Sequence, residues 1–327
     1  MYDFAKRSDG ERKEIFSEAA AERVQKPEVI EKDFWVCWLL GLLYGDKYVQ
    51  KYIKFKGGTS LSKAYGLIER FSEDIDLLID AEEMTDQPLI AERSSRQRTD
   101  FIEELRRAGL DYLKSSFLPK LEGLMNGVCS AEIVPGTYNQ IKIDYPRAFT
   151  EKSLLPYILL EIGPVGASRP SENMSITPYT AEQYPELFKV AETKVETILA
   201  ERTFWEKITI LHANAHRDEG RPVKERNSRH YYDIHQMYID DKVREKALQN
   251  EDLMQDVMNV KRHLYKQGWA HDENLKPRSF KLIPPKHVMK DLILDYAEME
   301  EMFFYEAPKW EDIMESVTDL EAKINQK

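Results

Sequence analysis

Apolar and polar positions recur with different periods in the two halves of this 327-residue chain. Residues 10–24 read as a surface helix. Pro27 opens a much more apolar one, EVIEKDFWVCWLLGLLY, that ends near Gly45. A proline suits that first turn, where the backbone N–H would have no helical partner. Tyr52 to Lys56 predicts a short strand and Asp74 to Asp80 a second, with a helix between them that Thr59 or Ser60 would cap. Residues 81–98 are polar and predict a loop. Phe101, Leu105, Leu110, Leu113, Phe117 and Leu121 recur at helical spacing over 99–125, where Pro119 is expected to kink or break the helix. Three β-rich pieces follow, at 129–134, 140–145 and 157–163, separated by turn residues such as Pro135-Gly136. After a polar stretch that ends near Pro185 no further strand is predicted, and from about 190 the pattern is helical. The expected division is a mixed α/β half, 1–180, and a helical half, 181–327, with the boundary between 175 and 190.

Composition narrows the class of protein. The chain is 42% hydrophobic and 32% charged, as a globular protein is, and its net charge is −11. That balance argues against an enveloping basic surface for nucleic acid, though a local basic cleft is compatible with it. Cys37 and Cys129 have apolar neighbours and read as buried thiols, with neither a disulfide framework nor a metal knuckle. The N-terminus is charged and has no apolar signal core. The longest apolar run, Trp35 to Tyr44, is about half the ~20 residues a membrane helix needs. A cytoplasmic protein is expected, with no membrane partner.

Candidate chemistry concentrates in FKGGTSLSKAYGLIERFSEDIDLLI, residues 55–79. Alternate residues of a strand project to one side, so Asp74 and Asp76 point together while Ile75 and Leu77 face the other way. Two ionised carboxylates so close repel each other and are costly to desolvate. A divalent cation removes that cost, and hard oxygen ligands suit Mg²⁺. Glu161, in YILLEIG, would complete the set from a neighbouring strand; Asp144, in QIKIDY, is its rival. Upstream, Gly57-Gly58 allows close backbone approach to a ligand, and the helix start that follows favours phosphate. In this order the pieces suit transfer of a nucleotidyl group, although a Gly-Gly turn alone, or a D-x-D alone, is ordinarily structural.

These residues resemble the nucleotidyltransferase toxins of the AbiEii/AbiGii type, within the DNA polymerase β-like superfamily. The resemblance rests on Gly57, Gly58, Thr59, Leu61, Lys63, Arg70, Phe71, Ser72, Glu73, Asp74 and Asp76. EKDFWV at Glu31, LLEIG at Leu159, ERTFWEKITILHA at Glu201 and SRHYYDIHQM at Ser228 extend it over about 28–240. It implies an α+β fold: a nucleotidyltransferase-type mixed β-sheet core flanked by helices, then a mostly helical C-terminal domain that closes the active-site cleft. Asp74 and Asp76 would hold Mg²⁺ or Mn²⁺, with Glu161 the better match for the third ligand. Gly57, Gly58, Thr59, Ser60, Lys63 and Arg229 would meet the nucleotide. Lys207 would contact phosphate, and Asp233 would complete the catalytic set. One departure is the gap of fifteen residues between Gly58 and Asp74, longer than the minimal superfamily pattern.

The function so implied is a toxin that transfers NMP from NTP to an RNA acceptor, foremost the 3′ end of tRNA, with a cognate antitoxin as partner. Three alternatives stand beside it: a transferase acting on a protein hydroxyl, a non-catalytic module that binds nucleotide or a partner, and phosphotransfer from ATP to a protein or small molecule. Arg229 and Asp233, at i,i+4, are also spaced for a plain helix salt bridge. His212 and His216 share a helix face, but no glutamate or cysteine accompanies them as zinc would need. Lys224, Arg226, Arg229 and His230 form a short basic run, ordinarily a solvated loop and otherwise a contact for an RNA backbone.

Overall fold

The computed structural model describes residues 1–72, 74–150, 154–265, 270, 272 and 275–326. Glu73, one of the residues that carry the resemblance, lies outside them. The chain forms two compact units: Met1–Tyr65, Phe71–Asp86 and Phe101–Ile198 in the first, and Gly66–Arg70, Gln87–Asp100 and Leu199–Lys327 in the second.

The first unit is built on a seven-stranded mixed sheet. Its strands are β1 (Ile53–Lys56), β2 (Asp74–Ile79), β3 (Ser130–Ile133), β4 (Gln140–Asp144), β5 (Ile158–Gly163), β6 (Ser171–Ile176) and β7 (Thr193–Ile198), in the order β3-β4-β5-β2-β1-β7-β6. β2 runs parallel to β5 and β1 parallel to β7; the other neighbours are antiparallel. The expected α+β fold is therefore present.

Period-2 alternation gives the sheet two different faces. Phe55, Ile75, Leu77, Ile143, Leu160 and Val195 enter one apolar cluster with Phe34, Trp35 and Trp38 of the helix Pro27–Gly45. Each such side chain contributes roughly 1.5–3 kcal/mol by leaving water. That helix also buries three consecutive charged residues, and each is bonded. Glu31 accepts from the backbone N–H of Ala148 (2.6 Å) and Phe149 (3.3 Å). Lys32 donates to the Leu155 carbonyl (3.0 Å), and Asp33 accepts from the Tyr179 N–H (2.7 Å). The EKDFWV stretch is thus a clamp on the connection between β4 and β5 and on the start of the helix Tyr179–Gln183, its apolar members filling the core and its charged members satisfying backbone groups there.

Two local outcomes depart from expectation. Helix is not the only structure after 190, since Thr193–Ile198 is strand β7; β6 also lies in the stretch read as irregular. In β7 the sequence TKVETI has only Val195 and Ile198 as apolar residues, so it shows no hydrophobic alternation. β6, SENMSI, is an edge strand, which needs few apolar residues to pair. Pro119 does not break its helix. It sits in the first turn of Leu118–Met125, where a missing N–H costs nothing, and a π-helical turn, Leu113–Phe117, joins this to Ser95–Tyr112.

The second unit is helical. Ala200–Ala215 packs against Arg229–Ile239, Asp241–Gln249 and Glu251–Leu264, and Arg229–Ile239 also packs against Trp310–Gln326. Phe204, Ile208, Leu211, Tyr231, Ile234, Met237, Val317 and Leu320 are fully buried there. Cys37 is buried and Cys129 half-buried, both as thiols. Among the described residues no helix is long and apolar enough to cross a membrane.

Candidate active site

The candidate site of the first unit lies on the sheet face turned away from the apolar cluster. In β2 the aspartates are half-buried while Ile75 and Leu77 are buried behind them, as the alternation requires. The parallel pairing of β2 with β5 sets Asp76 opposite Glu161 and Asp74 opposite Leu159. Partners in register project to the same side, one strand spacing of about 4.8 Å apart. Glu161 is oriented by Gln140, its partner on β4, whose side-chain amide donates to Oε1 at 2.7 Å.

Register also separates the two rivals for third carboxylate. Asp144 is four residues along β4 from Gln140, roughly 13 Å, and its carboxylate lies 2.8 Å from the Lys142 ammonium. The structure brings Glu161, not Asp144, beside the aspartate pair.

The glycine pair approaches the same carboxylates. Gly57 has φ +78°, a left-handed conformation, and a Cβ there would fall 1.9 Å from Asp76 Oδ2. Glycine is required for the backbone conformation and equally for the space. Thr59 donates its hydroxyl to the Asp74 carbonyl, and Ser60 donates to the Gly57 carbonyl at 2.8 Å. Both hydroxyls therefore brace the turn against β2. Gly58 is in the short helix Gly57–Lys63 that follows β1.

Lys63 is placed elsewhere. Its ammonium is buried 2.8 Å from Asp33 Oδ1, donates to the Thr177 carbonyl at 2.8 Å, and lies over the Tyr179 ring. Burial alone would lower its pKa; Asp33 more than offsets this and holds it above the usual lysine value.

Among the described residues no three His, Cys, Asp or Glu side chains already stand together as a metal-binding group. What Asp74, Asp76 and Glu161 share is a face and a register. A set of hard carboxylate oxygens, with the Gly57 backbone pressed against one of them, fits Mg²⁺ or Mn²⁺ in kind.

In the second unit, Lys207 on Ala200–Ala215 and Asp233 on Arg229–Ile239 meet directly, with Nζ to Oδ2 at 2.8 Å. The same carboxylate receives two parallel bonds from Arg70, Nε to Oδ1 at 2.7 Å and Nη2 to Oδ2 at 2.8 Å. Arg70 and Asp233 are almost wholly inaccessible and Lys207 nearly so. Burial would raise the Asp233 carboxyl's pKa, yet Arg70 and Lys207 hold it well below the ordinary carboxylate range. Burial and the Arg70 charge push Lys207 below the usual lysine value, although Asp233 opposes this. Lys207 also lies 3.5 Å from His230 Nδ1, and burial with that neighbouring charge keeps the imidazole neutral. Arg229 begins the helix that carries Asp233.

Sequence reasoning gave Arg70 no role. The signal was the long gap before Asp74: residues Gly66–Arg70 leave the sheet unit and belong to the helical one, where Arg70 binds Asp233 and Glu69 accepts from the Phe304 N–H at 2.9 Å.

The histidine pair holds no metal-like cluster among the described residues. His212 Nδ1 accepts from the Lys281 N–H at 3.1 Å, and His216 bonds the His212 carbonyl at 2.9 Å. Within the basic run, Ser228 donates its N–H to Asp295 at 2.7 Å.

The sequence model of the family described as "Nucleotidyl transferase AbiEii toxin, Type IV TA system" matches residues 42–316. The chain belongs to the AbiEii family. Its enzyme class is accordingly nucleotidyltransferase, within a toxin–antitoxin system that implies an antitoxin partner. Among solved structures this AbiEii chain is similar to MenT4, a nucleotidyltransferase toxin from Mycobacterium tuberculosis H37Rv. They are 15% identical over 93% of this chain and 98% of that one, with a TM-score of 0.44. No curated protein matches the chain.

Proposed function

We propose that this AbiEii chain transfers NMP from an NTP to an RNA hydroxyl, foremost the 3′ end of tRNA, in a reaction dependent on Mg²⁺ or Mn²⁺. The observation that carries the reading is the shared face of Asp74, Asp76 and Glu161, with the Gly57 backbone against Asp76. These three carboxylates would hold the metal ion. When bound, it supplies neutralisation of triphosphate charge and activation of the attacking hydroxyl. The acceptor hydroxyl gives up its proton to solvent and its oxygen forms a bond to the α-phosphorus as the bond from that phosphorus to the bridging oxygen breaks, and pyrophosphate leaves.

The chain's own groups prepare that event. Gln140 fixes the Glu161 carboxylate, and Thr59 and Ser60 fix the turn that lets Gly57 and Gly58 approach the triphosphate. The family resemblance assigns Lys207 to phosphate and Arg229 to the nucleotide. Asp233, bonded to Arg70 and Lys207 at once, completes the set as the positioning residue that orients Lys207. Lys63 serves the nucleotide indirectly, by anchoring the end of the Gly57–Lys63 helix to Asp33. We place the reaction in the cytoplasm, where NTP and tRNA are available.

The test is incubation with Mg²⁺, total tRNA and each α-³²P-labelled NTP in turn, beside Asp74→Ala. Label entering tRNA only with intact Asp74 is expected, and the productive NTP names the base. Label in protein instead of RNA would favour the protein-hydroxyl reading. Bound nucleotide without any transfer would favour the non-catalytic one.

A further inference from the structure

We propose that His230 is a positioning residue for the transfer reaction: its ring nitrogen Nδ1 and the Asp233 carboxylate each take one N–H of the Lys207 ammonium, which leaves the third directed at phosphate. This role rests on the reading above that Lys207 contacts phosphate, and it adds a residue to that reading. His230 and Asp233 lie three residues apart in the helix Arg229–Ile239, one turn from each other on the same face. Lys207 meets both from the helix Ala200–Ala215, with Nζ 2.8 Å from Asp233 Oδ2 and 3.5 Å from His230 Nδ1.

The donors of Lys207 give the second contact its meaning. An ammonium carries three N–H donors and no acceptor. Among the described residues, Asp233 and His230 are the side chains that meet it. Held by Asp233 alone, the ammonium could turn about that single bond; a second acceptor fixes the direction of the remaining N–H. The imidazole can accept at Nδ1 only while neutral, with its proton on Nε2. Burial opposes its protonation, as do the charges of Lys207, Arg229 and Arg70, while Asp233 favours it. The surroundings therefore keep the ring in the form that the contact requires.

The competing role for His230 is packing alone, and the two roles differ in what they do to Lys207. An acceptor stabilises the charged amine, so its removal lowers the Lys207 pKa. A ring that only fills space can be exchanged for another ring without moving that titration. The charged groups that face Lys207, namely Asp233, Arg70 and Arg229, are the same in either case.

The experiment compares wild type, His230→Phe, His230→Asn and Lys207→Met. Phenylalanine keeps a ring without an acceptor, and asparagine returns a polar atom near the place of Nδ1. Calorimetric affinity for an NTP analogue that cannot be cleaved between the α- and β-phosphates is followed in Mg²⁺ from about pH 7 to about pH 9.5, with denaturant unfolding of each variant. Lys207→Met should weaken the analogue about tenfold or more. His230→Phe should weaken it about fivefold and move the alkaline loss of binding about one pH unit lower. His230→Asn should recover most of both effects. An alkaline limb unmoved in His230→Phe, or a His230→Asn no better than His230→Phe, would overturn the role. Nitrogen-15 NMR of the histidine-labelled wild type, with the His230 signals identified by their absence from His230→Asn, should show a neutral ring protonated at Nε2. A proton on Nδ1 would overturn the role whether or not His230→Phe folds. Wild-type affinity in Lys207→Met would sink the parent reading, whereas a weakened Lys207→Met beside an unaltered His230→Phe would sink only the role of His230.

Discussion

Asp76 and Asp233 both sit in motifs flanked by apolar residues, yet their surroundings are opposite. Asp76 is half-buried on an open sheet face, with Asp74 and Glu161 on the same side. Asp233 is wholly buried and bonded by Arg70 and Lys207. At Asp76 the fold accumulates like charge and leaves it accessible, an arrangement that gains stability only when a cation arrives. At Asp233 the charge is matched within the protein, so the fold itself depends on the aspartate. On the proposed reading, the contrast separates a face that would take the ligand from a cluster that holds structure and, through it, the orientation of Lys207.

The sharpest way to break the comparison is to neutralise each aspartate in turn. Asp76→Asn should reduce nucleotidyl transfer by roughly a hundredfold to a thousandfold, with a melting temperature unchanged or slightly raised as repulsion is relieved. Asp233→Ala should instead destabilise by about 3–5 kcal/mol, because it strands two buried cations, and denaturant unfolding would show it. If Asp76→Asn unfolds the protein while Asp233→Ala melts like wild type, the two regions have been read the wrong way round.

Gly57→Ala comes next. The left-handed backbone costs a Cβ-bearing residue about 1–2 kcal/mol, and the added methyl must displace the Asp76 carboxylate. A shift of about 1 Å at a reacting centre costs on the order of a hundredfold in rate, so steady-state transfer should fall by about that factor while far-ultraviolet circular dichroism stays native-like.

A third buried carboxylate sharpens the same contrast through pH. Burial pushes Glu31 up to about 7, against the pull of its two backbone donors and of Arg12 and Arg147. Its unfolded value is near the ordinary 4.5, so between those limits the folded state binds more protons than the unfolded one. The contribution of Glu31 is therefore greatest below pH 4.5 and is lost as pH rises through 7. Relative to Glu31→Gln, wild type should lose up to about 3 kcal/mol between pH 4.5 and 8, measured by denaturant unfolding at several pH values. A difference that stays flat over that range would show that Glu31 is ionised throughout.

The smallest effect is assigned to Asp144→Asn. Its surface pair with Lys142 contributes about 0–1 kcal/mol, and its place on β4 keeps it from the carboxylate set. Transfer activity should stay within about threefold of wild type, and a larger loss would reopen the choice of third carboxylate.

How far the sequence reached follows from the range of the interactions involved. β2 and β5 were legible because alternation is local: the carboxylates of Asp74, Asp76 and Glu161 stand out among buried Ile and Leu. The resemblance favoured Glu161 over Asp144, but local pattern could not rank them, because the choice depends on which residue of β5 pairs with Asp76, a matter of register between strands far apart in sequence. β6 and β7 escaped for want of apolar alternation. The partnership of Arg70 with Asp233 joins residues 163 positions apart, and the partnership of Lys63 with Asp33 depends on how two helices pack. Motif spacing carries neither, except for the unusual gap before Asp74.

The central claim is that the open face of the sheet holds the metal ion on which transfer depends. Mn²⁺ binding, followed by electron paramagnetic resonance in wild type, Asp76→Asn, Glu161→Gln and Asp144→Asn, tests it most directly. The account predicts binding lost in Asp76→Asn, weakened in Glu161→Gln and unchanged in Asp144→Asn. Wild-type affinity in Asp76→Asn, or equal losses in Glu161→Gln and Asp144→Asn, would contradict it.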